Sequence, residues 1–187
     1  RLRLFELHPS DARALLALVQ KLGAGRRVQA TVQDGFESLK ALLPPPPDGA
    51  GSRRALVLID PSYEIKSDYA RVSSAVQDAL RRFPTGVYMV WYPVIPRPEA
   101  HALPRRLRTL ATQAGRAWLH ATLSIGHADG EARQAHPGLS ASGLFVLNPP
   151  HTLATALRAA LPQVSSALAR GRGASWQVEA GGTFRPG

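Results

Sequence analysis

The chain has no cysteine among its 187 residues, and this absence excludes disulfides and thiolate metal sites. No apolar run reaches the roughly 18 residues that a membrane-spanning helix needs, and no stretch has the charged, apolar and small-residue order of a signal peptide. We therefore expect a cytoplasmic protein with no membrane partner, and the lack of cysteine is compatible with that compartment.

Several catalytic signatures are missing as well. No P-loop and no Gly-x-Gly-x-x-Gly follows a predicted strand, so nucleotide hydrolysis and dinucleotide redox chemistry have no support. The segment Gly138-Leu-Ser-Ala-Ser-Gly143 does not have the Gly-x-Ser-x-Gly spacing of a serine hydrolase, and it precedes a predicted strand. Six histidines are scattered without ligand spacing, so no metal is expected.

Lysine is scarce, yet the chain is strongly basic. Three lysines accompany 20 arginines, and the formal net charge is +10. Such an excess favours a polyanionic partner, above all a nucleic acid. The alternative is a general compositional bias toward Arg, Ala, Gly and Pro, which raises the charge without selecting for a partner.

The pattern of apolar residues alternates between the periods of strands and helices along the whole chain. Predicted strands at 118–125 and 143–147 form an antiparallel pair, and a mobile loop joins them. Residues 175–178 predict an additional edge strand. The 44% apolar content suffices for one core, so we predict a single domain over 1–187 with an exposed Pro/Gly-rich connector at 44–53. The predicted fold class is an α/β three-layer sandwich.

The central stretch of the chain is residues 55–63, Ala-Leu-Val-Leu-Ile-Asp-Pro-Ser-Tyr. Five apolar residues predict a strand buried on both faces, and ligands of such sheets bind beyond the carboxyl ends of the strands. Asp60 offers an acceptor there, Pro61 fixes the backbone and Tyr63 offers a flat ring, which together suit a planar amine. The alternatives are that Asp60 only ends a strand and that Tyr63 is a half-buried anchor.

Two further acids end predicted strands. Glu6 closes the strand at 1–7, and Asp34-Gly35 follows the strand at 27–33. Asp34 has a structural alternative as the N-cap of the next helix.

Two other groups of residues have both functional and structural interpretations. The strand at 86–94 ends in Trp91-Tyr92-Pro93, which places aromatics at the same edge of the sheet, although core packing explains Trp91 equally well. The densest basic cluster, residues 105–108, is either an RNA contact or a solvated helix face.

Five motifs in order carry a resemblance to a known family. Asp60-Pro61-Ser62-Tyr63 resembles the Asp/Asn-Pro-Pro-Tyr/Phe motif of amino-directed methyltransferases. The other four are FELHPSD at 5–11, DGF at 34–36, WYPV at 91–94 and ASGLFVLNPP at 141–150. Together they resemble the RlmJ family of bacterial 23S rRNA adenine-N6 methyltransferases, and the resemblance covers residues 4–178.

The resemblance implies a Rossmann-like class I methyltransferase fold, S-adenosylmethionine as cofactor and 23S rRNA, free or in early assembly particles, as partner. It implies that Glu6 binds the ribose hydroxyls of the cofactor and that Asp34 and Gly35 contact its adenine. Asp60 would be the catalytic residue between cofactor and target base. Pro61, through its carbonyl, and Tyr63, through its ring, would bind that base.

The chain departs from the family pattern in two respects. Ser62 stands where the family has a second proline, which we expect to loosen the loop. The family's amino-terminal part, with its first strand, Gly-rich loop and RNA-contacting motif, has no counterpart here, so we expect half of a cofactor site and no activity from this chain alone. Two alternatives remain: a methyltransferase-like RNA-binding module without activity, and an amino-methyltransferase acting on DNA or on protein glutamine.

Overall fold

A computed structural model describes residues 1–48, 51–127 and 138–183. It shows a mixed α/β fold, as predicted. The strands of the described residues are β1 Leu2–Glu6, β2 Val28–Val32, β3 Leu56–Ile59, β4 Val87–Pro93, β5 Trp118–His127, β6 Ala141–Leu147 and β7 Arg172–Gly181. The helices in the same residues are α1 Pro9–Lys21, α2 Gly35–Leu42, α3 Ser67–Arg82, α4 Pro98–Gln113 and α5 Leu153–Leu168.

The chain divides into two compact units, Arg1–Pro44 and Pro45–Gly187. The division falls within the connector that the sequence predicts at 44–53, where consecutive prolines exclude both helix and central strand. We call them the first and the second unit.

The first unit is built on a pair of parallel strands. β1 pairs with β2, and Glu6 lies opposite Val32 in the register. Parallel pairing requires a crossover connection, and α1 lies in that connection. Because parallel strands end at the same edge, Glu6 and the Asp34 that follows β2 share one edge of this sheet.

The second unit contains a five-stranded sheet in the order β3-β4-β6-β5-β7. β3 and β4 are parallel, whereas β6 is antiparallel to both of its neighbours and β7 is antiparallel to β5. The predicted antiparallel pair and the predicted edge strand are therefore confirmed. The loop predicted to be mobile between that pair contains residues 128–137, which lie outside the described residues.

Helices lie on both faces of this sheet. On one face, Tyr88 donates its hydroxyl hydrogen to the Phe83 carbonyl at the end of α3, at 2.6 Å. On the other face, Leu119 and Val146 pack against a row of residues from α5. Side chains alternate along a strand, so the odd and even positions of β4 contribute to different cores.

One sequence prediction about β3 is wrong. The strand was expected to be buried on both faces, but Leu56 and Leu58 are 69% and 62% exposed, while Ile59 is buried. β3 is the edge strand of its sheet, and Leu56 and Leu58 lie beside Val87 and Met89 on the α5 face. α5 makes its main contacts with β5 and β7 at the other side of the sheet, and the face of β3 that carries Leu56 and Leu58 remains exposed.

Among the described helices, none combines the length and apolar character needed to cross a bilayer.

Candidate active site

The best candidate for a reactive group is Asp60, the first residue after β3. Within the described residues its carboxylate forms no hydrogen bond and no ion pair. The side chain is exposed, yet the surrounding protein displaces enough water that partial burial raises the pKa of Asp60. A carboxylate with these properties is an available hydrogen-bond acceptor whose affinity for a proton is increased.

Tyr63 lies inside the protein, at 2% exposure. Its hydroxyl donates to the Trp91 carbonyl at 2.6 Å, and its ring centroid lies 4.8 Å from that of Tyr69. Burial, followed by the charge of Asp60, raises the pKa of the Tyr63 phenol, which therefore stays protonated and remains a donor.

This position differs from the open stacking surface predicted for Tyr63. The Tyr63 ring packs against the rings of Tyr69 and Trp91, so the alternative of an anchored tyrosine describes this conformation. The backbone of Tyr63 has φ of +56°, a left-handed conformation that is unusual for an aromatic residue and costs about 1–3 kcal/mol. The surrounding contacts must offset that cost.

Arg97 provides two of those contacts. Its Nη1 donates to the carbonyls of Tyr63 at 3.0 Å and Glu64 at 3.3 Å, from the position immediately before α4. This role of Arg97 was not predicted from the sequence. The available signal was weak: one arginine between two prolines, three residues after the WYPV motif.

A second contact holds the loop through the side chain of Ser62. Its hydroxyl donates to Oδ2 of Asp68 at 3.5 Å, and Asp68 is buried in the first turn of α3. The loop 60–64 is therefore held through the Ser62 side chain, the Tyr63 hydroxyl and two carbonyls bound by Arg97. These contacts provide restraint where the family's second proline is absent.

In the first unit the predicted cofactor residues share one edge but have different contacts. Glu6 Oε1 accepts the His8 amide hydrogen at 2.8 Å, and Glu6 Oε2 has no partner within the described residues. Asp34 Oδ1 accepts the Phe36 amide hydrogen at 2.8 Å and caps α2, which confirms the structural alternative for Asp34.

Gly35 is the first residue of α2, and a Cβ there would meet Phe5 Cβ at an ordinary 3.5 Å. Space therefore does not require glycine at this position. Of the three residues at this edge, Glu6 best fits a nucleoside, because a carboxylate at the end of a parallel strand can accept hydrogen bonds from ribose hydroxyls.

The motifs at 91–94 and 141–150 build the second unit's sheet. Tyr92 lies opposite Gly143, and its ring occupies the space that a Cβ at position 143 would need. Asn148, at φ +51°, donates through Nδ2 to the carbonyls of Pro84 and Gly86. Tyr92, Gly143 and Asn148 of these motifs therefore have structural roles.

Groups of three or more histidines, aspartates and glutamates suited to a metal do not occur in residues 1–48, 51–127 and 138–183.

Two curated relatives are similar to this chain over most of its length, and both are named Ribosomal RNA large subunit methyltransferase J. The Haemophilus influenzae protein is 37% identical over 179 residues, covering 96% of this chain and 58% of the relative. The Escherichia coli protein is 40% identical over 167 residues, covering 89% and 54%. The chain thus spans just over half the length of these relatives.

A crystal structure of a protein from Legionella pneumophila str. Philadelphia 1 has a similar fold. It matches with a TM-score of 0.77 and 31% identity, covering 97% of this chain and 61% of that protein. Residues 1–180 match the family described as Ribosomal RNA large subunit methyltransferase D, RlmJ. On this match and on the two relatives, the chain belongs to the RlmJ family.

Proposed function

We propose that this protein transfers a methyl group from S-adenosylmethionine to the N6 amino group of an adenine in 23S rRNA, on a Rossmann-like class I fold. The observation that carries the proposal is Asp60, a carboxylate with no partner among the described residues, on a loop that three kinds of contact restrain. Family membership and the names of the two relatives support the substrate class.

For the cofactor, we propose contacts from Glu6, Asp34, Gly35 and Asp60. When bound, S-adenosylmethionine supplies an electrophilic methyl group on a sulfonium. The His8 amide fixes Glu6 Oε1, which leaves Oε2 to accept a ribose hydroxyl hydrogen. Asp34 is held in place by its own cap, so its position is set before any ligand arrives.

For the base, we propose that the Asp60 carboxylate and the Pro61 carbonyl accept the two amino hydrogens. An adenine amino group is a poor nucleophile because its lone pair is delocalised into the ring. Two acceptors direct the hydrogens out of the ring plane and leave the lone pair available, and Asp60 then takes the proton that the product loses. A raised pKa makes Asp60 a better proton acceptor.

Orientation contributes a further share of the rate. A nucleophile held in line with the bond it attacks can gain about 7–11 kcal/mol relative to free reactants. The restraints on loop 60–64 serve this purpose because they fix both proposed acceptors. Stacking of Tyr63 on an extruded base requires the ring to become uncovered, so we propose that this contact forms only when the base enters.

Methyl transfer by the whole protein tests the proposal. Radiolabelled S-adenosylmethionine would be offered with 23S rRNA, with duplex DNA and with a glutamine-containing peptide, and labelled RNA would be digested to nucleosides. We expect label in N6-methyladenosine from rRNA, and none after Asp60→Ala. Glu64→Gln is a matched control, since it removes an exposed carboxylate from the same loop. Label in DNA or peptide instead, or undiminished activity in Asp60→Ala, would contradict the assignment.

A further inference from the structure

An open groove lies between α3 and α4 in the second unit. Its volume is about 270 Å³. Ser74 and Gln77 from α3 line one side, and Arg105, Arg106 and Thr109 from α4 line the other. We call this the α3–α4 groove.

The two arginines of the groove differ from the other arginines of these helices. Arg71 pairs with Asp68, and Arg81 and Arg82 both pair with Asp78. Arg108 pairs with Glu179 at 2.6 Å and lies over the Trp118 ring.

Arg105 and Arg106, by contrast, are exposed and pair with no acid within the described residues. The groove also has no acid in its described lining. Acids of the protein therefore neutralise the other arginines of α3 and α4. No described acid neutralises Arg105 and Arg106, so their positive charges remain available to a binding partner.

The α3 side of the groove also suits a negatively charged partner. Ser74 and Gln77 are exposed and carry a hydroxyl and an amide, neutral groups that donate hydrogen bonds to phosphate and sugar oxygens. The groove is open and smaller than the roughly 300–1,000 Å³ of enclosed small-molecule sites. Two unpaired guanidinium groups facing neutral donors across an open groove fit an extended phosphate chain better than an isolated metabolite.

We propose that the α3–α4 groove binds the sugar–phosphate backbone of the RNA substrate, an inference that rests on the proposed function for its ligand. α3 begins just beyond loop 60–64, and Ser74 to Gln77 lie seven to ten residues along that helix. At 1.5 Å per residue, the groove is roughly 10–15 Å along α3 from its first turn. RNA that presents a base at Asp60 would reach the groove within a few nucleotides.

Contacts of this kind position a strand without reading its sequence. Each phosphate neutralised on a single strand releases counterions, so the logarithm of affinity falls with the logarithm of salt concentration, with a slope of about −0.7 per contact. The groove therefore has a measurable signature, which is its share of the salt dependence of RNA binding.

The test compares three double variants of the whole protein with the wild type. Arg105→Gln with Arg106→Gln removes the groove charges, and Arg105→Lys with Arg106→Lys retains them. Arg158→Gln with Arg170→Gln is the matched control, because it also removes two exposed charges that pair with no described acid, one on α5 and one just after it, on the other face of the sheet. RNA dissociation constants would be measured by fluorescence anisotropy at several salt concentrations, and thermal unfolding would verify that each variant folds.

We expect the groove glutamine variant to lower the magnitude of the salt slope by roughly 1–1.5 and to raise KM for RNA while kcat is retained. The lysine variant should keep most of the slope, and the α5-face control should change it little. Equal changes in the groove variant and the control, or an unchanged slope in the groove variant, would overturn the groove assignment. Methyl transfer to RNA by the wild type is measured in the same preparations, so failure of the proposed function is seen separately.

Discussion

Asp34 and Asp60 occupy equivalent places in the two units, each following a parallel strand, but their surroundings differ. Asp34 is followed at once by α2, and Oδ1 of its carboxylate accepts the Phe36 amide hydrogen. Asp60 is followed by a loop, and α3 begins only at Ser67. The amide groups of a helix's first turn lack partners and attract a preceding acid, so Asp34 has a structural partner, whereas Asp60 has none in the described part of the chain.

An acid at a strand's end is therefore not by itself a sign of a catalytic or binding role. The distance to the next helix decides whether its carboxylate is used by the backbone. When a loop separates the acid from the next helix, the carboxylate remains available to bind a ligand, provided that other contacts hold the loop in place. Here those contacts come from Tyr63 and Arg97.

The largest effect should follow Asp60→Asn, which removes the charge while keeping the shape. We expect the methyl-transfer rate to fall about 10²–10⁴-fold, the range that a positioned acid or base contributes. The thermal unfolding temperature should not fall, because burial disfavours the charged form and the carboxylate has no partner to lose. Asp34→Asn retains a good cap and should keep far more activity. Similar rate losses in both variants would remove the distinction between the two acids.

The next effect concerns the loop's support. Arg97→Ala releases the carbonyls of Tyr63 and Glu64, and a reacting group displaced by about 1 Å can cost roughly 10²-fold in rate. We expect kcat to fall by that order while RNA affinity changes little. Arg82→Ala is a control near the end of α3, where the arginine pairs with Asp78 and not with a residue that holds the loop. A loss in affinity rather than in kcat would show that Arg97 acts on the substrate and not on the loop.

The pH dependence gives a smaller, graded effect. Asp60 must be ionised to accept hydrogens, so kcat should decline tenfold per pH unit below its pKa, with a midpoint above the ordinary aspartate value of about 3.9. The pH dependence of stability has the opposite sign to that of kcat. A pKa raised by folding contributes stability below the unfolded pKa, and that contribution is lost as pH rises through the folded pKa. Asp60→Asn should remove both dependences, as rate profiles and denaturant titrations across this window would show.

The smallest effect should follow Asp34→Ala, which removes the cap of α2. The expected loss is about 1 kcal/mol in the free energy of unfolding, measured by urea denaturation. Asp34→Ser keeps a capping oxygen and should retain most of that stability. If Asp34 also contacts the cofactor, the serine variant should bind S-adenosylmethionine more weakly despite its stability. Equal stability of the alanine variant and the wild type would contradict the capping role.

Much of the fold could be predicted from local pattern. Periodicity located β4, α3 and the β5–β6 pair to within a few residues, and the helical pattern directly after Asp34-Gly35 indicated the cap. The coverage of β3 could not be predicted, because a continuous apolar run does not reveal which face a distant helix reaches. α5, which leaves Leu56 and Leu58 exposed, comes almost a hundred residues later.

The site was only partly predictable. Asp60 and its loop could be located because strand, acid and proline are adjacent in sequence. The support from Arg97 could not be located, since the contact joins residues 34 apart and its acceptors are backbone carbonyls, which every residue has. The burial of Tyr63 depends on a left-handed backbone that local propensity does not predict for tyrosine.

The contact from Arg97 also bears on how this loop can vary between relatives. Arg97 binds loop 60–64 only through main-chain oxygens, so it does not discriminate among side chains at the positions it holds. Replacing the exposed Glu64 side chain leaves the Arg97 contacts in place, whereas replacing Arg97 removes them. The side chain at position 64 is therefore independent of the contacts that hold the loop beside Asp60.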